Sequence, residues 1–368
     1  KDDVRIRTNG GTLTVDASTD TVKHFGTLDK VVITAVAPHS YYENGTVKGN
    51  IEVAEGHVVV DTDAKVESVI ATTANVTVDV NNNKTEVKAK DGVDLTGKVN
   101  GATTKTVKYV STADELQNAE GEVVLNADIN GGVIFSSGKT IVLDANGHSI
   151  KGSIELINNG TLTIKGNGSF SNDGQLINIG NSSTRLGTQT SGGTLIIESG
   201  YFTAQECCIA NLTGKDYDKS SIIINGGIFI SKDNGVLMSN GSTNVVQGAN
   251  WTINGGIFNC NITTPGYIAC GIYLPNTDVA IINGGTFNVK NGAGIVCRSG
   301  KTTINKGAVI NIEIDGTVAN GKVGDSEVQL SVSSFIVKDT KSDYPAGEPE
   351  IINNSQYAIV EYKDKTLL

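Results

Sequence analysis

The feature that most narrows the fold of this 368-residue chain is a phrase repeated at a nearly fixed interval. Asn225-Gly226-Gly227-Ile228-Phe229, Asn254-Gly255-Gly256-Ile257-Phe258 and Asn283-Gly284-Gly285-Thr286-Phe287 each follow a short apolar run. Those runs are Ile222-Ile223-Ile224, Trp251-Thr252-Ile253 and Ala280-Ile281-Ile282. Looser copies flank them, Glu198-Ser199-Gly200-Tyr201-Phe202 before and Asn305-Lys306-Gly307-Ala308-Val309 after. The aromatic falls at 202, 229, 258 and 287, at intervals of 27, 29 and 29, with Val309 a further 22 along. An interval on the order of 20–30 residues suits one coil of a solenoid built from three short strands and three turns. A single coil cannot bury its apolar face, and stacking buries that face continuously. The unit reads strand, Gly-Gly corner, strand (Ile228-Phe229-Ile230-Ser231), turn, strand and a longer loop. This pattern predicts an all-β chain wound as a right-handed parallel β-helix of three-strand coils. Each Asn would then bond to the Asn of the next coil. Phe229, Phe258 and Phe287 would form an internal aromatic column.

A third strand aligns as the triplets Leu176-Ile177-Asn178, Cys208-Ile209-Ala210, Val236-Leu237-Met238, Ile272-Tyr273-Leu274 and Ile295-Val296-Cys297. If the outer two residues of each triplet face inward, the middle ones face out. The expected outward column is then Ile177, Ile209, Leu237, Tyr273 and Val296. Such an apolar stripe needs a cover, either the chain's own C-terminal segment or a partner or ligand.

The residue palette agrees with many short strands. There are 44 Gly and only 5 Pro, and long amphipathic patterns are missing. β-Branched residues fit a pleated surface, and Gly and Asn suit tight turns. The net charge of -10 argues against a nucleic-acid partner. No run approaches the 18 or so apolar residues that a membrane helix needs, so no membrane insertion is expected. Lys1 opens no recognisable signal segment, as a mature or trimmed form would. The five cysteines, Cys207, Cys208, Cys260, Cys270 and Cys297, are odd in number and lack CxxC spacing. They read as small buried apolar side chains, with no metal site expected.

Along the chain, residues 111–119 read as a short helix, with Thr112 and Glu115 at capping-box spacing. Such a helix could plug the open end of the solenoid and hide its strand edges. The stretch from Ser111 through 121–129 to Gly138-Lys139-Thr140-Ile141-Val142-Leu143-Asp144 and on to Gly152 resembles the opening of pectate-lyase-like right-handed parallel β-helix proteins. The resemblance covers about 111–315. It implies a fold more than a function, because that superfamily holds lyases, glycoside hydrolases, tailspikes, adhesins and other bacterial surface proteins. Three regions are expected: a β-rich 1–105, the β-helix over 106–315 with its capping helix, and a C-terminal cap or packing arm over 316–368. For 1–105, strand-like runs broken every 7–10 residues favour another solenoid piece, with a small β-sandwich as the alternative.

Lyases of the superfamily use a Lys or Arg base and Ca²⁺ held by clustered acids. The pectin-hydrolysing members carry Asn-Thr-Asp, Asp-Asp, Gly-His-Gly and Arg-Ile-Lys on consecutive coils. Here only Asn276-Thr277-Asp278 resembles any of these, without its partners, and His148 is the one histidine in the coils. No recurrent carboxylate pair of the glycosidase kind occurs. The sequence therefore offers no catalytic set, no metal ligands and no cofactor motif. The expected role is a non-catalytic, secreted or cell-surface bacterial protein for adhesion or glycan contact, its partner a polysaccharide or host surface glycan. A lyase or hydrolase with a divergent site and a structural stalk are the alternatives. The longer loops at 181–192, 213–220, 239–249 and 274–278 should line up on one edge. Arg185, Asp216, Tyr217, Asp218, Tyr267 and Tyr273 are the candidate ligand-binding residues there.

Overall fold

The structure is a computed structural model that describes residues 3–136, 138–181, 189–261, 269–313, 322–323, 326–327, 335–340, 347–363 and 366–367. The chain divides into two compact units. One is Lys1–Val110 with Glu122–Val124, and the other is Ser111–Gly121 with Leu125–Leu368. Both are parallel β-solenoids.

In the second unit each coil contributes one strand to each of three sheets. One coil reads Ser221–Ile224, Ile228–Ser231 and Leu237–Ser239, and the next reads Asn250–Ile253, Ile257–Asn261 and Cys270–Leu274. Strands of successive coils pair in parallel, in register and in chain order. The middle sheet has eight strands, from Ile129–Asn130 to Val309–Glu313. Ile336–Asp339 and Glu350–Asn353 pair in parallel with Ala293–Cys297 and Lys301–Ile304, so the described C-terminal strands extend the same sheets.

The repeated phrase forms the first corner, and each of its residues meets a different demand there. A Cβ on Gly255 would lie 2.5 Å from the carbonyl oxygen of Asn225 in the coil before, so only glycine lets the backbones stack. Gly256 has φ +102°, a left-handed conformation that side chains disfavour. The amides bond coil to coil, Asn254 to Asn225, Asn283 to Asn254 and Asn305 to Asn283, each at 2.8 Å. Every amide donates toward the chain's start, and the Glu198 carboxylate accepts from Asn225 at 2.9 Å to terminate the row. Inside, the aromatic column is longer than expected. Phe170, Phe202, Phe229, Phe258 and Phe287 stack with centroids 4.7–5.1 Å apart. All are buried, and such pairs add about 0.5–1.5 kcal/mol each beyond burial.

Both ends of this unit satisfy strand edges with side chains. Thr112 caps the helix Ala113–Gln117, accepting from the Glu115 N–H at 3.2 Å. Gln117 then accepts the Ile134 N–H at 2.8 Å, in the first strand of the third sheet. At the far end of the middle sheet the Tyr357 hydroxyl accepts the Ile310 N–H at 2.9 Å. Unpaired edge N–H groups would otherwise invite pairing with other chains.

The third sheet corrects the sequence-based register. Ile177, Ile209 and Leu237 pair in one column with Ile272 and Ile295, which is the inward one. The outward column is Asn178, Ala210, Met238, Tyr273, Val296 and Val337. It is not an exposed stripe. Tyr273, Val296 and Val337 are buried in a small apolar cluster with Cys270 and Ala293. Four of the five triplets are apolar throughout and leave a one-residue slip unmarked, and Asn178 alone signals the outward position.

The first unit has two sheets. One contains Val22–His24, Ser40–Glu43, Gly56–Val60 and Val76–Val80, the other Lys30–Ala35, Thr46–Val53, Lys65–Ala71 and Glu86–Lys90, all parallel. Its coils are shorter, with Val22, Tyr41, Val58 and Val78 in one register column. The core is mostly Val and Ile. One polar network is sealed inside it. The fully buried Glu43 carboxylate accepts from the Tyr41 hydroxyl at 2.7 Å and the Gly45 N–H at 2.7 Å, and meets His24 Nδ1 at 2.8 Å. The Gly26 N–H donates to His24 Nε2 at 3.0 Å, so Nδ1 carries the proton of a neutral ring and donates to Glu43.

Candidate ligand-contact groove

The middle sheet of the second unit places inward and outward residues by strict alternation. Phe202 faces in, so Tyr201 and Thr203 face out. Tyr201 is 54% exposed, the most exposed large apolar side chain among the described residues. In register, Lys151, Ser171 and Thr203 form one outward column, and Ser169, Tyr201 and Ile228 form the next. Neighbouring members of a column are about 4.8 Å apart.

Where these strands end, a concave groove of about 350 Å³ opens across four coils. Lys151 and Lys232 stand at its two sides, and Ser171, Asn172, Thr203 and Gln205 line it between them. Asp173 is its one acidic lining residue. A local turn fixes one amide and a coil-to-coil bond the other. Asn172 donates to the Gln175 carbonyl at 2.6 Å, and Gln205 donates to Asp233 at 2.6 Å. A second depression lies on the same edge farther along, lined by Asn261, Lys290, Asn311 and Glu313 among others. The edge therefore offers hydroxyls, amides and ammonium groups at strand spacing beside an exposed ring.

Of the six residues singled out from sequence, four are among the described residues. Arg185 and Tyr267 lie outside the described residues. The long loops do line up: the Gly214 N–H donates to the Thr190 carbonyl and the Gln247 N–H to the Thr213 carbonyl. Asn276 Nδ2 donates to the Val246 carbonyl at 3.0 Å. Asp216, Tyr217 and Asp218 are exposed at the tip of one loop, with the Tyr217 hydroxyl on the Gln189 carbonyl. Tyr273 is not a surface aromatic. It is 3% exposed, and its hydroxyl accepts from Arg298 at 2.8 Å, which in turn pairs with Asp339 at 2.8 Å. Its place in the outward column of a covered sheet removes it from any solvent-facing edge.

Asp278, the acid of the Asn-Thr-Asp triplet, is fully buried. It accepts from the Ser239 hydroxyl at 2.6 Å, the Ala249 N–H at 2.8 Å, Trp251 Nε1 at 3.2 Å and the Asn276 N–H at 3.2 Å. Burial pushes its carboxyl above the ordinary range, and these four donors oppose that shift. It ties a loop to the core. All five cysteines are buried and none is in a disulfide, and burial pushes the Cys260 and Cys297 thiols up to about 12. Among the described residues no three His, Cys, Asp or Glu side chains are grouped to hold a metal ion. Among the same described residues no helix is long and apolar enough to cross a membrane.

Tyr201, Lys151 and the groove itself escaped the sequence reading, which looked for aromatics on the long loops. The alternation from Phe202 was the signal that could have found Tyr201. The chain is thus a repeat protein of the parallel β-solenoid class. Comparisons with protein families, with curated proteins and with solved structures gave no match.

Proposed function

We propose that this chain is a glycan-contacting β-helix of a secreted or cell-surface bacterial protein, built to hold a polysaccharide without cleaving its glycosidic bonds, and akin to the pectate-lyase-like superfamily. The observation that carries the reading is Tyr201 standing on the same outer face as the Ser171 and Thr203 hydroxyls, beside a groove edged by Lys151 and Lys232. A sugar presents an apolar face to an aromatic ring and a ring of hydroxyls to amides and hydroxyls, and this surface supplies both. Two carboxylates facing each other across the groove would be needed for glycosidase chemistry, and Asp173 is the only acid lining it.

The test is binding of the whole chain to an array of neutral and acidic plant and host polysaccharides, followed by titration of any hit. Tyr201→Ala should weaken binding by about 5–10-fold, the loss of one aromatic contact worth roughly 1 kcal/mol. Tyr217→Ala, on the loop edge, should leave it within twofold. No binding at millimolar glycan would overturn the reading, as would release of unsaturated uronides from pectin.

A further inference from the structure

The outer face of the first unit brings together three residues that lie far apart in sequence. Ser40 and His57 are direct register partners on neighbouring strands. Asp79 stands one strand further on, in register with Val59, which makes it the diagonal neighbour of His57. Tyr41, Glu43, Val58 and Val60 are buried, so Ser40, His57 and Asp79 belong to the solvent face. Ser40 Oγ lies 3.0 Å from His57 Nδ1, and His57 Nε2 lies 2.7 Å from Asp79 Oδ2. Asn100 Nδ2 donates to the other Asp79 oxygen at 2.7 Å.

These contacts fix the protons. The hydrogen bond from Asn100, followed by the contact with His57, holds the Asp79 carboxyl below its ordinary value. Asp79 is therefore ionised at neutral pH and can only accept, so His57 Nε2 carries the hydrogen. In the neutral form of the ring Nδ1 then presents a lone pair, and the Ser40 hydroxyl donates to it. The result is a directed row, hydroxyl to imidazole to carboxylate, with the carboxylate itself oriented by an amide. That is the arrangement of an activated nucleophile, a base and an orienting group, which is recognised by geometry and not by chain order.

We propose that Ser40 is a nucleophile for acyl transfer, with His57 as its base and Asp79 as the orienting carboxylate, acting on short-chain acyl esters. Ser40 Oγ bonds to the ester carbonyl carbon while its proton passes to His57 Nδ1. The carbon–oxygen bond to the leaving alcohol breaks, and His57 returns the proton to that alkoxide. Water then attacks the acyl-serine, giving a proton to His57 as it bonds to the carbonyl carbon. The serine ester bond breaks, that proton goes to Ser40 Oγ, and a carboxylic acid leaves. The sum is ester plus water to acid plus alcohol. The face decides the substrate class. The side chains of His57 and Asp79 are 34% and 30% exposed on an open sheet. Such a face suits a small acyl group projecting from a larger molecule.

A fluorophosphonate probe and 4-nitrophenyl acetate test this on the full chain. The probe should form one adduct, mapped by peptide mass to Ser40, and none in Ser40→Ala. Ester hydrolysis should fall at least 100-fold in Ser40→Ala and His57→Gln, in line with the usual worth of a positioned base, and about tenfold in Asp79→Asn. Circular dichroism should be unchanged in all three, since each lies on an outer face. No adduct on Ser40, or hydrolysis by Ser40→Ala at the wild-type rate, overturns the proposal. Glycan binding by the second unit is a separate measurement and stands or falls on its own.

Discussion

The two units solve the same problem with different residues. The second stacks phenylalanines inside and asparagines at a corner, so like sits over like for five coils. The first stacks Val, Ile and Ala in two sheets and admits a sealed Tyr–Glu–His network and a buried Ser68–Asn50 hydrogen bond. Both are parallel windings. Register in the second unit is specified by residues whose demands are unique: a glycine where a Cβ would strike a carbonyl, an amide that both gives and accepts, and a ring that needs a ring. In the first, β-branched side chains are nearly interchangeable, and register rests on burial and on a few buried polar contacts.

The largest effect should come from breaking the aromatic column. Phe258→Ala removes the ring between Phe229 and Phe287 and should lower the stability of the second unit by about 3–5 kcal/mol. Urea unfolding followed by Trp251, the only tryptophan and one buried in this unit, reads it directly. Amide exchange in the first unit should not change.

The matching experiment in the first unit is His24→Ala. It leaves the buried Glu43 carboxylate without one of its three donors and should cost about 3 kcal/mol, seen as faster amide exchange over Ser40–Glu43. A loss under 0.5 kcal/mol would mean that the network does not set register there.

Cysteine separates the units by pH. Every cysteine lies between 207 and 297. The Cys260 thiol, ordinarily near 9.0, is pushed up to about 12 by burial. A group whose folded value is raised stabilises fully below its unfolded value, and that stability is lost as pH rises toward the folded one. Between pH 9 and 10 the second unit should therefore lose about 1 kcal/mol more in the wild type than in Cys260→Ala. Equal slopes would contradict the sealed interior.

The smallest effect belongs to the corner. Asn254→Ala interrupts the amide row, breaking its bonds to Asn225 and Asn283. Because the row is exposed to solvent, about 1 kcal/mol is expected, again by urea midpoint.

These contrasts explain what could be read in advance. Asn-Gly-Gly-x-Phe announced the second unit because few residues satisfy those positions. The third-sheet column departs from expectation at Ile177, Ile209 and Leu237: the triplets of Ile209 and Leu237 are apolar throughout and carry no alternation, and Asn178 beside Ile177 is the one polar mark of the true register. Tyr201 is legible from its neighbour Phe202 by strand alternation, whereas Tyr217 and Tyr273 stand out only by lying in and beside the loops. Ser40, His57 and Asp79 could not be seen together, since only the register of the short first-unit coils places them side by side.

The most direct test of the shared winding is a distance. Tyr201 and Val309 lie in one outward column, through Ile228, Ile257 and Thr286. Four strand spacings separate them, about 19 Å. Spin labels at Tyr201→Cys and Val309→Cys, with the native thiols sealed, should give one narrow distribution near that value once label length is included. A broad distribution, or one centred beyond about 40 Å, would mean that the corners are not successive turns of one solenoid.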